Sequence, residues 1–287
     1  MTQISETAKE KLRSQFPVFQ EAARAFYAKE LAPGKYKGTS GKFGSYGERG
    51  ANSSMLRLRF SGGAISQAHM AFLAQAIDKY HITLAHFTTG EALQLHHLQE
   101  QEVLGLYQDC FEAGIYCAGA GGDNPRNITA SPLHGVEPGE PFDMTPVIRA
   151  AANFVISLIP ELKLPRKYKI SFSNGIDNEG HATFKDLGFV ARPGGTFDVY
   201  AGFGVNGSRF GVLIDSQVDP RELSRYILGY ARDVYMKYGD YEHRGTARSR
   251  FILTKMGEDA FRTAVRDAVR KAREEGIPQL ELEPIPA

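Results

Sequence analysis

Cysteine is scarce in this chain: Cys110 and Cys117 are the only two in 287 residues. Two thiols exclude a disulfide framework, and by themselves they cannot supply the four ligands of an iron–sulfur cluster. An excess of charge is lacking too, since 34 Lys and Arg stand against 33 Asp and Glu. That balance excludes a global basic field for nucleic acid or an anionic membrane, so any anion site must be local. No apolar run approaches the roughly 18 residues of a membrane span. The N-terminus, MTQISETAKEKLRSQ, is too polar for a signal peptide. The expectation is a cytoplasmic protein with neither a nucleic-acid nor a membrane partner. Familiar catalytic signatures are missing as well. There is no Walker A sequence, no nucleophile elbow, and no His-Glu-x-x-His or Cys-x-x-Cys spacing. His96 and His97 are adjacent and cannot share a strand face, so no dedicated protein metal site is expected. Gly202-Phe203-Gly204-Val205-Asn206-Gly207 imitates a dinucleotide fingerprint, but a strand-like run follows it instead of the required helix.

What is present is enough for a core. Hydrophobic residues make up 42% of the chain, which argues against disorder. The periodicity predicts one amphipathic helix over 5–29, with Phe16, Phe19, Ala23, Phe26 and Tyr27 on one face. Residues 30–53, rich in Gly, Ser and Lys, read as a surface connection. Ser54–Phe60 alternates as a strand: Leu56, Leu58 and Phe60 face one side, while Arg57 and Arg59 point together on the other. A helix over Ser66–Tyr80, strands at Ile82–Phe87 and Ala92–His96, a helix over Glu100–Ala113 and a strand at Ile115–Ala118 follow. Thr145–Leu158 reads as an apolar helix with Asp143 near its cap. Lys167–Phe172, Leu187–Ala191, Phe197–Tyr200 and Phe210–Ile214 read as strands. Helices are expected from Asp219 to about Tyr238 and over Glu258–Glu274, with the last dozen residues as a tail. The fold class is α+β, with α/β layers. The organisation is 1–49 as helix and connection, 50–118 and 119–275 as two folded units, and 276–287 as tail.

The chemistry centres on Gly119–Gly135, GAGGDNPRNITASPLHG. Its glycines let the backbone approach a bound group closely, and Pro125 then stiffens the chain ahead of Arg126. Downstream, Lys167 and Lys169 share one strand face with no carboxylate between them. Arg59, Arg126, Lys167 and Lys169 are cations on strand faces or beside glycine and proline. Arginine suits bidentate oxyanion binding, and lysine acts as a point charge or proton donor. The set suggests a site for something flat, large and anionic. His134 and His243 read as ordinary loop residues, and Cys110 and Cys117 as packing residues.

Four pieces in order resemble the sirohaem-dependent nitrite and sulfite reductases. They are Leu56-Arg57-Leu58-Arg59-Phe60-Ser61-Gly62-Gly63, Asn124-Pro125-Arg126-Asn127-Ile128-Thr129, Pro165-Arg166-Lys167-Tyr168-Lys169, and Thr246-Ala247-Arg248-Ser249-Arg250-Phe251. The resemblance spans about residues 50–275 and implies the N-terminal repeat of a two-repeat architecture. That repeat consists of a ferredoxin-like half-domain (50–118) and a sirohaem-binding α/β domain (119–275). It implies reduction of nitrite or sulfite at sirohaem, with an electron donor such as ferredoxin. Arg59, Arg126, Lys167 and Lys169 are then expected to act on substrate. Those four, with Asn127 and Arg248, are expected to hold the cofactor. The family's cluster motif, Cys-x5-Cys followed by Cys-x3-Cys, lies in the second repeat and is absent here. A 4Fe–4S cluster is therefore expected only together with a C-terminal repeat. Thr88-Thr89-Gly90-Glu91 stands where the family usually has Thr-x-Arg-Gln, so one cation is missing and one negative charge is added. A half of this kind is expected to lack turnover alone and to self-associate through an exposed sheet edge. The alternative is a non-catalytic binding or assembly module of the same fold.

Overall fold

A computed structural model describes residues 4–175, 178–203 and 210–283. Gly204–Gly207 of the fingerprint-like stretch fall outside these residues. Two helices, α1 (Glu6–Arg13) and α2 (Phe16–Tyr27), replace the single one expected over 5–29. Pro17 has no N–H to continue the α1 ladder, but it fits the first turn of a new helix. The expected surface connection after α2 proves to be structured and partly buried. It forms α3 (Pro33–Ser40) and β1 (Ser45–Gly47), with Tyr36 and Phe43 inside the core. Tyr36 stacks on Phe26 with ring centroids 4.2 Å apart. A few aromatic anchors outweigh the Gly- and Lys-rich composition around them.

β2 (Ser54–Arg59), α4 (Gln67–Lys79), β3 (Ala85–Phe87), β4 (Ala92–Leu98) and α5 (Glu100–Glu112) complete the first layer. The strands run in the order β1-β2-β4-β3, every neighbour antiparallel. Phe19, Leu56, Leu58, Leu95, Val103 and Leu106 form the centre of this core. The strand expected at Ile115–Ala118 is not one. β1 and β4 already flank β2, so the segment contributes a single bond to its end, from Arg59 N–H to the Tyr116 carbonyl at 3.1 Å.

The second layer holds α6 (Thr145–Leu158), β5 (Ile170–Ser173), β6 (Leu187–Arg192), β7 (Thr196–Ala201) and β8 (Val212–Val218) in the sheet order β5-β6-β7-β8. β5 and β6 are parallel and the rest antiparallel. The segment Arg126–Thr129 runs beside β5: Arg126 N–H donates to the Tyr168 carbonyl at 2.8 Å, and Phe172 N–H to the Thr129 carbonyl at 2.8 Å. α7 (Leu223–Gly229) continues into a π-helical turn, Tyr230–Met236. α8 (Arg250–Met256) and α9 (Glu258–Glu274) then pack over the sheet. The last described residues are not a free tail. Leu280 is buried, its N–H donates to the Arg221 carbonyl at 2.8 Å, and Ser224 Oγ donates to the Pro278 carbonyl at 2.6 Å. Apolar Ile277, Leu280 and Leu282 give that segment a reason to dock. The mixed α+β architecture is as expected. One apolar core is built from residues 19–117 and another from 128–280, and Gly119–Arg126 runs between them.

Candidate functional site

The glycine-rich stretch builds the site by close approach. Gly119 and Gly122 have φ near +68° and +63°, values that strain other residues. A Cβ on Gly121 would sit 2.5 Å from the Gly41 carbonyl oxygen, so the loop can lie against that turn only without a side chain. Lying there, it turns its carbonyls toward cations. Arg57 Nη1 donates to the Ala120 oxygen at 2.9 Å, and Arg126 Nη2 to the Gly122 oxygen at 2.7 Å. Asn127 Nδ2 donates to the carbonyls of Phe60, Gly90 and Glu91, at 2.8, 3.0 and 2.8 Å. That fixes the turn Thr88–Glu91 beside the loop. Opposite, Tyr168 and Ile170 are buried, which leaves Lys167 and Lys169 together on the other face.

These pieces enclose a cavity of about 220 Å³. Arg57, Arg126, Lys167, Lys169 and Lys185 line it, with Thr88, Thr89, Gly90, Asn127 and Thr129 between them. No carboxylate lies on its wall among the described residues. Burial is the chief cause of every pKa displacement here. It pushes Lys169 down to about 8, with Lys167 and Lys185 adding repulsion. It also pushes Lys167, Lys185 and Arg126 below their usual ranges. Arg126 Nε and Asn127 Oδ1 are buried without a hydrogen-bond partner. Half-buried like charges with no acid on the cavity wall are unfavourable until something anionic enters. The residues therefore fit a small oxyanion or the carboxylates of a larger ligand.

Of the residues singled out from sequence, Arg126, Asn127, Lys167 and Lys169 meet in this cavity. Arg59 and Arg248 are placed elsewhere. Arg59 is buried, and its guanidinium donates to the carbonyls of Ala118 (3.2 Å), Pro125 (2.8 Å) and Arg126 (2.7 Å). It clamps the loop that carries Arg126. Arg57 and Arg59 leave β2 on the same side but diverge, and Arg57 is the one on the cavity wall. Arg248 Nη2 pairs with both carboxylate oxygens of Asp186, at 3.1 and 3.0 Å. Asp186 is fully buried and also accepts from Ser249 Oγ and the Lys169 N–H. Arg248 thus neutralises the acid that anchors the Lys169 backbone. Lys185 escaped the sequence reading, because Phe184-Lys185-Asp186 gives it no distinguishing signal. Arg57 was visible in the strand alternation but was not separated from Arg59.

Glu91, the added negative charge, is absent from the cavity wall. Its side chain turns toward Gly63 and accepts from Ala130 N–H at 3.0 and 3.2 Å. Burial pushes its carboxyl from 4.5 up to about 7. The folded chain therefore binds more protons than the unfolded one between those values, and stability falls as pH rises through that window. Glu91→Gln keeps an oxygen for Ala130 and removes the titration. It is expected to raise the urea midpoint far more at pH 8 than at pH 5, which lies near the foot of that window. An equal shift at both pH values contradicts this assignment.

Such a fold and such a cavity define an α+β protein with a cationic cavity, and comparison with known proteins places it further. The family model described as "Nitrite and sulphite reductase 4Fe-4S domain" matches residues 121–272. The one described as "Nitrite/Sulfite reductase ferredoxin-like half domain" matches residues 47–112. The chain belongs to the nitrite and sulfite reductase family. It is 28% identical over 241 residues to a ferredoxin–nitrite reductase of Leptolyngbya laminosa, an alignment covering 79% of this chain and 46% of that protein. It is also 28% identical over 212 residues to sulfite reductase [ferredoxin] 1 of Mycolicibacterium paratuberculosis, covering 72% and 38%. The Mycobacterium tuberculosis NirA protein superposes with a TM-score of 0.76 at 22% identity, over 97% of this chain and 55% of that one. That likeness concerns the fold. The chain spans about half the length of the curated relatives it matches. Residues 121–272 contain no cysteine. Among the described residues no cluster of three or more His, Cys, Asp or Glu could hold a metal ion, and no helix is long and apolar enough to cross a membrane.

Proposed function

We propose that the chain is the N-terminal half of a sirohaem- and 4Fe–4S-dependent reductase of nitrite or sulfite, working in the cytoplasm. The observation that carries this reading is the cavity in which five cations converge without an acid on the wall. Arg57, Arg126, Lys167, Lys169, Lys185 and Asn127 would hold the carboxylates of sirohaem or the oxyanion substrate. Bound sirohaem supplies the electron chemistry of the six-electron reduction to ammonia or sulfide. The chain's own residues bind, orient and protonate. Arg126 offers a planar guanidinium for two oxygens at once. Lys169, with its pKa near 8, carries a proton on Nζ at neutral pH and can release it to an oxygen that leaves as water. Lys167 and Lys185 stabilise charge as it develops on the oxyanion.

The cluster ligands would come from a C-terminal repeat, which the two-fold length of the relatives supports. Ferredoxin, which appears in the relatives' names, is the proposed electron donor. β3 is an edge strand with Leu84 and Phe87 exposed, and it offers the half-domain a face for that repeat or for a second copy of the chain. Titration with sirohaem is expected to give stoichiometric binding by visible absorption, with no viologen-driven turnover of sulfite or nitrite by this chain alone. Full turnover by the chain alone overturns the half-enzyme reading. The second reading is a non-catalytic module of the same fold. It is favoured by Gly90 at the cavity wall and by the lack of cysteine in 121–272. Failure to bind sirohaem selects it.

A further inference from the structure

The register of β2 against β4 sets Gln94 directly opposite Arg57, and His96 lies two residues further along the same face. Leu93 and Leu95, on the other face, are buried in the core. A row of side chains therefore leads away from the cavity wall: Arg57, Gln94, His96 and Glu48. We propose that Gln94 is a positioning residue: locked by the His96–Glu48 pair, it aims Arg57 at the anion and leaves its charge uncancelled. This role rests on the reading of the cavity as an anion site.

The row is ordered from both ends. At the far end Glu48 accepts from His96 Nδ1 at 2.8 Å, from Ser53 Oγ at 2.6 Å and from the His97 N–H at 3.1 Å. Burial works against the charge on Glu48, but those bonds hold its carboxyl below the usual range. An ionised carboxylate only accepts. In the neutral ring the His96 proton therefore sits on Nδ1, and Nε2 is an acceptor. The Gln94 amide lies 3.3 Å from that Nε2 and has to present its NH2 group there. At the near end Arg57 imposes the same orientation. Its Nε, at 3.0 Å, and its Nη2 both point at the Gln94 amide, and a guanidinium only donates, so the amide oxygen faces it. Both ends select one amide orientation and one tautomer.

Arg57 thereby commits three of its five N–H donors within the protein, two to Gln94 and one to the Ala120 carbonyl. One N–H on each Nη is left for a ligand oxygen. A carboxylate at position 94 would hold the guanidinium as firmly but would cancel much of its charge. The neutral amide orients it and keeps the wall cationic. Glu48, the acid of the row, stands behind Gln94 and His96.

Nitrogen-15 NMR of the histidine rings of the full chain at pH 8 is expected to show His96 protonated at Nδ1 and bare at Nε2, the reverse of the tautomer that free histidine favours. The signal is assigned by its loss in His96→Gln, or through the β4 backbone if that variant does not fold. A ring protonated at Nε2 overturns the row. Calorimetric titration with sulfite reads the consequence. Arg57→Met and Gln94→Leu are each expected to weaken sulfite binding roughly tenfold, and the double variant no more than Arg57→Met alone, because Gln94 acts through Arg57. Gln94→Glu is expected to keep the urea midpoint at or above that of the wild type and still to weaken binding roughly tenfold. Losses that add in the double variant, or unchanged affinity in either Gln94 variant, overturn the positioning role alone. A wild type that binds no sulfite overturns the anion reading, and this role with it.

Discussion

Arg59→Met is expected to lower the unfolding free energy by roughly 3–5 kcal/mol, read as a fall in the urea midpoint. The guanidinium satisfies the carbonyls of Ala118, Pro125 and Arg126 from a buried position. Methionine fills much of the volume but donates nothing, so three buried oxygens lose their partner. Burial also pushes the Arg59 pKa down, and those same oxygens solvate the cation in place of water. Arg59→Lys is expected to recover only part of the loss, because one ammonium cannot copy the fork that spans two strands of loop. A loss below about 1 kcal/mol for Arg59→Met contradicts the clamp and returns Arg59 to the list of ligand contacts.

Lys169→Met is expected to act in two opposite directions. Affinity for sulfite falls at least tenfold, since one of the charges that meets the anion is gone. The unliganded chain becomes no less stable, because a half-buried ammonium repelled by Lys167 and Lys185 has been replaced by an apolar group. Calorimetry and urea unfolding of one variant read both effects. The wild type carries the matching pH dependence. Lys169 has a folded pKa near 8, below that of free lysine, so the empty chain gains stability as pH rises from about 8 toward 10.5. Sulfite affinity falls over the same rise, because the ammonium that holds the anion is being lost. Loss of stability together with loss of binding in Lys169→Met contradicts the picture of a frustrated cation.

Local pattern carried much of this molecule into view. The alternation at Tyr168-Lys169-Ile170 placed Lys167 and Lys169 on one face, and the structure keeps them there on the cavity wall. The glycines ahead of Arg126 marked a close backbone approach, and Gly121 against Gly41 is that approach. What pattern could not supply was partnership at a distance. Arg57 and Arg59 are equivalent in a strand diagram. They separate only because Ala118 and Pro125 happen to offer carbonyls to one of them and Ala120 to the other. Arg248 reads as free until Asp186, 62 residues earlier, is found beneath it. Lys185 enters the cavity from a 3-10 turn with no periodicity to announce it. The order of four short motifs gave the family, while the assignment of single side chains needed the contacts.

The most direct test of the central claim is calorimetric titration of the full chain with sulfite at pH 8.5, in two buffers of different ionisation heat. If the converging cations receive the anion, binding raises the lysine pKa values and draws in protons, so the measured heat differs between the buffers by the protons taken up. No binding, or a binding heat identical in both buffers, contradicts the account.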